Sequence, residues 1–371
     1  MRIAWLELRR RPSRFVTATA ILALLATLLM LLGGLLDGLL SGSTSAVAAQ
    51  RGDLLVFSST AEKSFVRSRI TPTQRTTVAQ VPGVAEVGGI GVAQLAARVP
   101  GNGPRDLADV ALFGYELAPK AVPPPPGPGE AYADSSLERK GVRDGVTIEV
   151  GPARTPIRIV GTVRDLSYSD QGTLWASADT WRTTINANLP EAGVGPGVFQ
   201  ALVVRVDPGA DPTSVAARID RGTAGATESL TVRAAVNAIP GVSQQRATFN
   251  QIIGVTVVIA VVVVALFFAL LTVERTVLYG VLKALGATSG TLFGGVVLQG
   301  VVVTAIASAV GAGIALLLDV VIPPGSIPYT LLPGRVLTSA LFLLVAAVFG
   351  CVFSLRRVLR IDPASAIGGG Q

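Results

Sequence analysis

The charged residues of the segment 274–287 are the first candidates for chemistry in this sequence. Glu274 and Arg275 follow a long uncharged stretch, and Lys283 lies in a short amphipathic sequence that Gly286 interrupts. Glycine permits a backbone turn that a side chain would oppose. The segment therefore offers polar and apolar contacts to a soluble partner, and we expect it to receive force from another subunit. An ordinary interfacial loop is the alternative.

Residue types for catalysis or metal binding are scarce. The chain has no histidine, the commonest metal ligand and general base near neutral pH, and Cys351 is its single cysteine. No lysine follows a glycine, so the phosphate-binding sequence G-x-x-x-x-G-K-[ST] is absent. We therefore expect no enzyme activity, no metal and no cofactor in this chain. Cys351 is interpreted as a packing residue.

Four long apolar runs must position the charged segment, and they predict a membrane protein. Half of the residues are hydrophobic and 15% are charged. The runs cover residues 15–36, 252–273, 292–318 and 336–355. Since a helix rises 1.5 Å per residue, about 20 residues cross a hydrocarbon core of roughly 30 Å. The expected fold is an α-helical membrane protein with four transmembrane helices and an external α+β domain inserted between helices 1 and 2.

The first apolar run has a competing explanation as a cleaved signal peptide. Basic residues precede it, and the small residues Ser45–Ala49 follow it. The run of about 22 residues is longer than the usual 7–15 residues of a signal peptide. We therefore expect a retained membrane helix, and mass spectrometry of the mature N-terminus would decide between the two.

The distribution of charge predicts the topology. The N-terminus, the 274–290 loop and the C-terminus hold ten basic and three acidic residues, whereas residues 51–246 hold twenty basic and nineteen acidic residues. Cytoplasmic loops of membrane proteins carry an excess of Lys and Arg. We expect both termini in the cytoplasm of a bacterial plasma membrane and the inserted domain outside. The net charge of +7 then requires no nucleic acid as a partner.

These patterns divide the chain into nine predicted segments. The membrane-associated segments are an interfacial helix at 1–14 and transmembrane helices at 15–40, 249–273, 291–318 and 335–356. The others are the external α+β domain at 41–248, a cytoplasmic coupling segment at 274–290, an external loop at 319–334 and a cytoplasmic tail at 357–371. The basic N-terminus could also be a simple charge cluster that orients the chain. Small residues in the third span are expected to pack within the bundle.

The inserted segment is predicted to mix strands and helices. Short β-branched stretches bounded by Gly, Pro and Asp predict strands at 53–57, 109–113, 146–150, 157–163 and 201–206. Helices are expected within 71–80, 134–140 and 211–221. Asp211 and Pro212 open the last of these as an N-cap and a first-turn proline. The prolines at 123–126 predict a stiff surface loop.

Two motifs resemble a known family of permeases. The sequence ERTVLYGVLKALGA at 274–287 closely resembles the signature of the ABC permease superfamily typified by the MacB, FtsX and lipoprotein-sorting transporters. The sequence RIDPASAI at 360–367 resembles the closing Arg-x-x-Pro-x-x-Ala motif of that superfamily. Residues 81–87 and 142–165 are similar to its external core domain, so the resemblance covers most of the chain. Stretches at 164–168 and 173–181 look more like the DevC and haem-exporter permeases.

The resemblance implies a type VII ABC exporter. Two copies of this chain would assemble with two copies of a separate ATP-binding subunit, which holds ATP and Mg. Motion of that subunit would pass through the spans by mechanotransmission and extrude a hydrophobic or amphipathic compound (haem, lipid or drug-like). The residues that match the coupling motifs are Glu274, Arg275, Tyr279, Gly280, Lys283, Ala284, Gly286, Arg360 and Pro363.

Polar and sulfur-bearing residues near the outer ends of spans one and two are the candidates for a substrate path. They are Met30, Asp37, Phe249, Asn250 and Gln251. An ionisable group close to the membrane is a functional candidate by default, although Asp37 could simply face water. Haem would have to be ligated by Met, Tyr, Cys or a carboxylate, because histidine is absent. This favours a generic hydrophobic or amphipathic compound over haem.

Two functions from other classes remain open. One is an FtsX-like regulator, whose ATP-driven motion activates an external cell-wall hydrolase and so requires a periplasmic or cell-wall partner. The other is an inactive membrane sensor or scaffold paired with a kinase. Stimulation of ATPase activity by substrate would favour export, and dependence on an external hydrolase would favour regulation.

Overall fold

The computed structural model describes residues 12–274, 288–322 and 327–358. Two compact units make up the chain, namely Met1–Gly38 with Gln245–Gln371, and Leu39–Gln244. The first unit contains most of the apolar sequence, and the second is the inserted domain. Most of the predicted interfacial helix, coupling segment and cytoplasmic tail lies outside the described residues.

Eight helices and ten strands are found in the part of the chain that the structure describes. The helices are α1 Pro12–Ala48, α2 Pro72–Ala79, α3 Ala178–Asn188, α4 Pro212–Gly222, α5 Val232–Ala238, α6 Val242–Val273, α7 Ser289–Val321 and α8 Pro333–Val358. The strands are β1 Leu54–Ser58, β2 Val84–Arg98, β3 Ala108–Tyr115, β4 Glu130–Asp134, β5 Thr147–Val150, β6 Thr155–Val163, β7 Ser167–Tyr168, β8 Gln171–Ser177, β9 Ala201–Val206 and β10 Thr227–Thr231.

Four of the helices are long and apolar enough to cross a membrane. The candidate spans are Val16–Ala48 in α1, Val242–Leu270 in α6, Gly294–Val321 in α7 and Pro333–Val352 in α8. They correspond to the four apolar runs of the sequence. Both α1 and α6 extend beyond their runs, since the last turns of α1 and the first turn of α6 belong to the inserted domain.

Small residues bring the membrane helices close together. A Cβ atom on Gly311 of α7 would lie 2.6 Å from the Cβ of Ala26 in α1. A Cβ on Gly300 of α7 would lie 2.6 Å from the sulfur of Cys351 in α8. Glycine therefore allows contacts that any other residue would prevent. The predicted packing roles of Gly300, Gly311 and the fully buried Cys351 are confirmed.

The packing prediction is wrong for part of the third span. A Cβ on Gly294, Gly295 or Gly313 would meet no atom within 4 Å among the described residues. The bundle core instead draws on larger residues of all four helices. These are Ala18 and Leu22 of α1, Val264 and Phe268 of α6, Val303 and Ala307 of α7, and Ala347 of α8.

The inserted domain is built on one ten-stranded sheet. Its strand order is β10-β1-β9-β2-β3-β8-β4-β6-β5, with β7 paired to β8 and with β5 paired back to the end of β2. The strands β2, β3, β8, β4, β6 and β5 therefore pair in a closed circuit, and β9, β1 and β10 extend from it. The β3–β8 and β4–β6 pairs are parallel, and the other pairs are antiparallel.

Aromatic side chains fill the interior of this domain. Trp181 of α3 is fully buried and packs on β2 and β3 where Gly91 and Gly114 leave room for its ring. On another cluster, Phe113 stacks on Trp175 with ring centroids 4.7 Å apart. The Trp181 contacts hold α3 on the sheet, and the Phe113–Trp175 stack joins the neighbouring strands β3 and β8, because aromatic residues bury large apolar areas.

The expected fold class is confirmed, as are all five predicted strands and the helices within 71–80 and 211–221. Asp211 caps α4 through hydrogen bonds from the amides of Thr213 and Ser214, with Pro212 in the first turn. The helix expected within 134–140 is a short 3₁₀ turn over Ser135–Lys140 that ends at Gly141 with a φ of 85°. This left-handed residue stops the turn before an α-helix can form.

Candidate functional site

The predicted coupling segment, 274–290, is described only at Glu274 and at residues 288–290, where α7 begins. Glu274 lies at the end of α6, where its backbone N–H donates to the carbonyl of Leu270 at 3.1 Å. Its side chain is exposed. Arg275, Tyr279, Gly280, Lys283, Ala284 and Gly286, together with Arg360 and Pro363 of the closing motif, lie outside the described residues. The coupling role of these residues stays a prediction.

An ion pair joins α1 to α8 within the membrane unit. The Nε atom of Arg335 donates to Asp37 Oδ2 at 2.9 Å, and its Nη2 atom donates to Asp37 Oδ1 at 2.5 Å. This two-point geometry is the strongest that arginine and a carboxylate form. The side chains are 12% exposed for Asp37 and 25% exposed for Arg335, so water screens the pair little.

The chain that connects α7 to α8 lies against α1 beside this pair. The backbone N–H of Thr330 donates to the carbonyl of Gly34 at 3.1 Å. The phenol of Tyr329 donates to the carbonyl of Ala315 in α7 at 3.2 Å. Residues 327–332 thus contact α1 and α7 just before α8 begins, and we call them the strap. Three of the four membrane helices meet at this point.

The Asp37 side chain is therefore fixed by Arg335 rather than surrounded by water. Its carboxylate is mostly buried, and both oxygens accept from Arg335. The guanidinium of Arg335 is not suited to general acid–base work, because arginine stays protonated in proteins. What it can do is fix the relative positions of α1 and α8 at the end of the bundle where α1 leads into the inserted domain.

Sequence reasoning did not single out Arg335, although a signal was present. Arg335 is the only basic residue between positions 288 and 355, and Asp37 is the only charged residue between positions 15 and 50. Single opposite charges at the ends of two apolar runs are expected to pair, because an isolated charge near a membrane is costly. Pairing of these two charges could have been predicted from this rule.

The five substrate-path candidates differ in their burial. Met30 is fully buried in the bundle, two helical turns before Asp37 in α1. Phe249 of α6 is half-buried, whereas Asn250 and Gln251 are exposed. The sequence pattern gave their nearness to the helix ends but could not give the direction in which each side chain points.

The described residues also bring few nucleophilic or metal-binding groups together in the folded chain. Within residues 12–274, 288–322 and 327–358 there is no group of three His, Cys, Asp or Glu residues that could hold a metal ion. The tyrosines of the inserted domain serve its core. The Tyr115 phenol donates to the carbonyl of Pro123 at 2.7 Å, and burial raises its pKa far above the ordinary value.

The second membrane helix presents an apolar face that the described chain leaves uncovered. Val255, Val262, Leu266 and Leu270 of α6 are each at least half exposed. They recur every three to four or seven residues, which places them on one side of the helix. An apolar stripe of this length requires lipid or another hydrophobic surface as its neighbour.

Comparison with known proteins shows which protein family and which relatives this chain resembles. Residues 250–363 match the family model described as FtsX-like permease C-terminal. A putative hemin transport system permease protein HrtB from Staphylococcus epidermidis is 20% identical over 371 residues, which is the full length of both chains. An uncharacterized ABC transporter permease from Mycobacterium tuberculosis is 26% identical over 377 residues and 98% of each chain.

Two solved domains resemble the chain more weakly. The periplasmic region of MacB from Actinobacillus actinomycetemcomitans has 13% identity and a TM-score of 0.36, covering 51% of this chain and 92% of that one. The extracellular domain of the transporter YknZ from Gram-positive bacteria has 14% identity and a TM-score of 0.34, covering 48% of this chain and 99% of that one.

Four helices that are long and apolar enough to cross a membrane, with a large α+β domain inserted after the first, define a class of membrane protein. Two findings narrow this class of protein. Residues 250–363 match the FtsX-like permease family model, and the relatives that align over nearly the full length are named as permeases. The chain is therefore similar to FtsX-like ABC transporter permeases. This similarity indicates a permease subunit.

Proposed function

We propose that this chain is the membrane subunit of an ABC-type exporter that extrudes a hydrophobic or amphipathic compound. The observation that carries the proposal is the FtsX-like permease match over residues 250–363, which includes the motif at 274–287 and the first four residues of the motif at 360–367. Full-length similarity to proteins named as putative hemin transport permeases supports transport of a compound over regulation of another protein.

The energy for export comes from a separate subunit in this proposal. The chain has no G-x-x-x-x-G-K-[ST] loop, so ATP and Mg bind to an ABC ATP-binding partner. Two copies of this chain bind two copies of that partner, through residues 274–287 and the motif at 360–367. The excess of basic residues in these segments and at the N-terminus favours a cytoplasmic location for all three.

The cargo is proposed by chemical class. Relatives named as hemin transport permeases make haem one member of that class. Any axial ligand from this chain would be Met, Tyr, Cys or a carboxylate, because histidine is absent. The single cysteine, Cys351, is buried against Gly300 and is a poor ligand for a passing cargo. An apolar or amphipathic compound taken from the membrane needs no axial ligand.

Two substitutions in the coupling segment test the proposal. Glu274→Lys reverses a charge in the proposed contact with the ATP-binding subunit, and Gly286→Trp fills the backbone turn. Each is expected to reduce transport at least tenfold while ATP hydrolysis by the partner persists, as measured in proteoliposomes that contain both subunits. Glu138→Lys changes an exposed acid of the inserted domain and serves as the matched control. Unchanged transport in both coupling variants would refute the assignment.

An FtsX-like regulator is the second candidate. The family model matched by residues 250–363 is itself FtsX-like, and the inserted domain is large enough to bind an external protein. In that case ATP hydrolysis would activate a cell-wall hydrolase and no compound would cross the membrane. Retention of hydrolase activation in proteoliposomes that show no export would favour this function over the first.

A further inference from the structure

The surface of α1 near Asp37 is shaped to receive the strap. Gly33 and Gly34 precede Asp37 by one turn, and Gly38 follows it. A Cβ on Gly33 would lie less than 3.0 Å from the Arg335 side chain, and one on Gly34 would lie that close to the Tyr329 ring. A Cβ on Gly38 would meet the backbone of Pro328.

Glycine is unfavourable within a helix, so three glycines around one carboxylate require a physical reason. Each costs roughly 0.5–1 kcal/mol relative to alanine in a helix interior. The contacts supply that reason, because the strap backbone and the Arg335 side chain lie directly on the α1 backbone. Close packing and the ion pair therefore act at the same place and reinforce each other.

Separating α1 from the strap and α8 would raise the free energy of both charged side chains. Asp37 and Arg335 are mostly buried, and each would be left without its opposite charge in surroundings of low dielectric constant. The Thr330–Gly34 hydrogen bond and the Tyr329–Ala315 hydrogen bond would be strained at the same time. The geometry favours a contact that persists through conformational change elsewhere in the protein.

We propose that Asp37 and Arg335 are positioning residues that clamp the end of α1 to the strap and to α8. The clamp stays closed throughout the transport cycle, so that these elements move as one body. This inference rests on the proposed export function, since motion driven by an ATP-binding subunit gives the clamp its purpose. The closed ion pair itself can be tested without that subunit.

A double-mutant cycle on the full chain in detergent tests the pair alone. Asp37→Asn and Arg335→Gln are each expected to lower the thermal midpoint by at least about 3 °C. The double variant should lose clearly less than the sum of the two losses, because each single variant leaves one charge unpaired. Asp106→Asn and Lys140→Gln form the control cycle, since that pair has half-exposed side chains and is expected to show no coupling. Additive losses at Asp37 and Arg335 would overturn the clamp.

Cross-linking tests whether the clamp remains closed while the permease works. Asp37→Cys and Arg335→Cys are combined with Cys351→Ala, so that no other thiol is present. In proteoliposomes with the ATP-binding subunit, the unlinked variant should lose most transport per ATP hydrolysed, because the ion pair is gone. A short bis-thiol cross-linker should restore transport to at least half of that of the Cys351→Ala protein.

Two results would contradict a permanently closed clamp. Loss of transport on cross-linking would mean that α1 and α8 must separate during the cycle. Full transport by the unlinked variant would mean that positioning by the pair is unnecessary. If the unsubstituted complex exports nothing, the proposed function fails, and the double-mutant cycle still decides whether the clamp exists.

Discussion

Individual residues decide how closely the membrane helices of this permease approach each other. Gly311 of α7 is the point where that helix contacts α1, since its hypothetical Cβ would lie 2.6 Å from the Cβ of Ala26 and 3.0 Å from the amide nitrogen of Thr27. Two positions further on, a Cβ on Gly313 would meet no atom among the described residues. The two glycines are a natural pair for comparison.

Gly311→Leu is expected to destabilise the bundle by about 1–3 kcal/mol, because the new side chain must push α1 away from α7. Gly313→Leu should remain within about 1 kcal/mol of the parent protein, since leucine also favours the helix more than glycine does. Thermal unfolding in detergent measures both variants. Equal losses for the two would show that α7 does not contact α1 at Gly311.

Buried phenols make the inserted domain sensitive to high pH. Burial raises the pKa of Tyr115, and the nearby Tyr132 adds to the effect. Burial also raises the pKa of Tyr168, although a hydrogen bond with Ser169 opposes it. In the unfolded chain both groups titrate near a pKa of about 10.

The contribution of these two phenols to the free energy of unfolding is therefore expected to be fully present below about pH 10. It should fall as the pH rises above that value, because the unfolded chain then releases protons that the folded chain retains. Absorbance at 295 nm should show the buried tyrosines ionising later than the exposed ones. Tyr115→Phe should reduce the part of the absorbance change that occurs at the higher pH. Ionisation of all five tyrosines in a single step near pH 10 in the folded protein would contradict the assigned burial.

At the scale of elements, the apolar runs and the capped helices were predictable from the sequence. An uncharged run longer than the membrane core permits few alternatives, and Asp211-Pro212 is a strong helix-start signal. The strand β2 was harder to predict. Its sequence contains Gly88, Gly89 and Gly91, which weaken strands in isolation and serve here to admit Leu117, Phe199 and Trp181.

The strap and the Asp37–Arg335 pair were missed for a related reason. Sequence patterns identify which face of a helix is apolar, but they do not say which residues far apart in the chain will meet. Here the partners are separated by 298 positions. The three glycines around Asp37 were visible in the sequence, and only the contacts with Tyr329 and Pro328 explain them.

The N-cap of α4 was predicted from the sequence and is present in the structure, and a substitution can test its contribution to stability. Asp211→Ala removes the hydrogen bonds from the amides of Thr213 and Ser214. We expect a loss of about 1 kcal/mol, which is typical for removal of an aspartate cap. Asp207→Ala, which changes an exposed acid just before the helix, is the control and should have little effect. Chemical unfolding followed by tryptophan fluorescence would measure the difference.

At the scale of the whole molecule, the chain contains a membrane bundle and an inserted domain, and its sequence has no G-x-x-x-x-G-K-[ST] motif. The family match includes the predicted coupling motif at 274–287 and the start of the motif at 360–367. The clamp on α1 belongs to the same unit of the molecule, at the end of α1 that leads into the inserted domain. If the proposed coupling segment and the proposed clamp both act as inferred, this chain is a subunit that transmits motion.

The most direct test of this account is the ATPase rate of the purified complex in lipid nanodiscs, with and without an amphipathic probe. Haem serves as the first probe, and a drug-like cationic dye as the second. The account predicts that the permease co-purifies with an ABC ATP-binding subunit and that a probe raises its ATPase rate at least twofold, an increase that Glu274→Lys abolishes. A complex that does not form, or an ATPase rate that no amphipathic compound changes, would contradict export as the function of this chain.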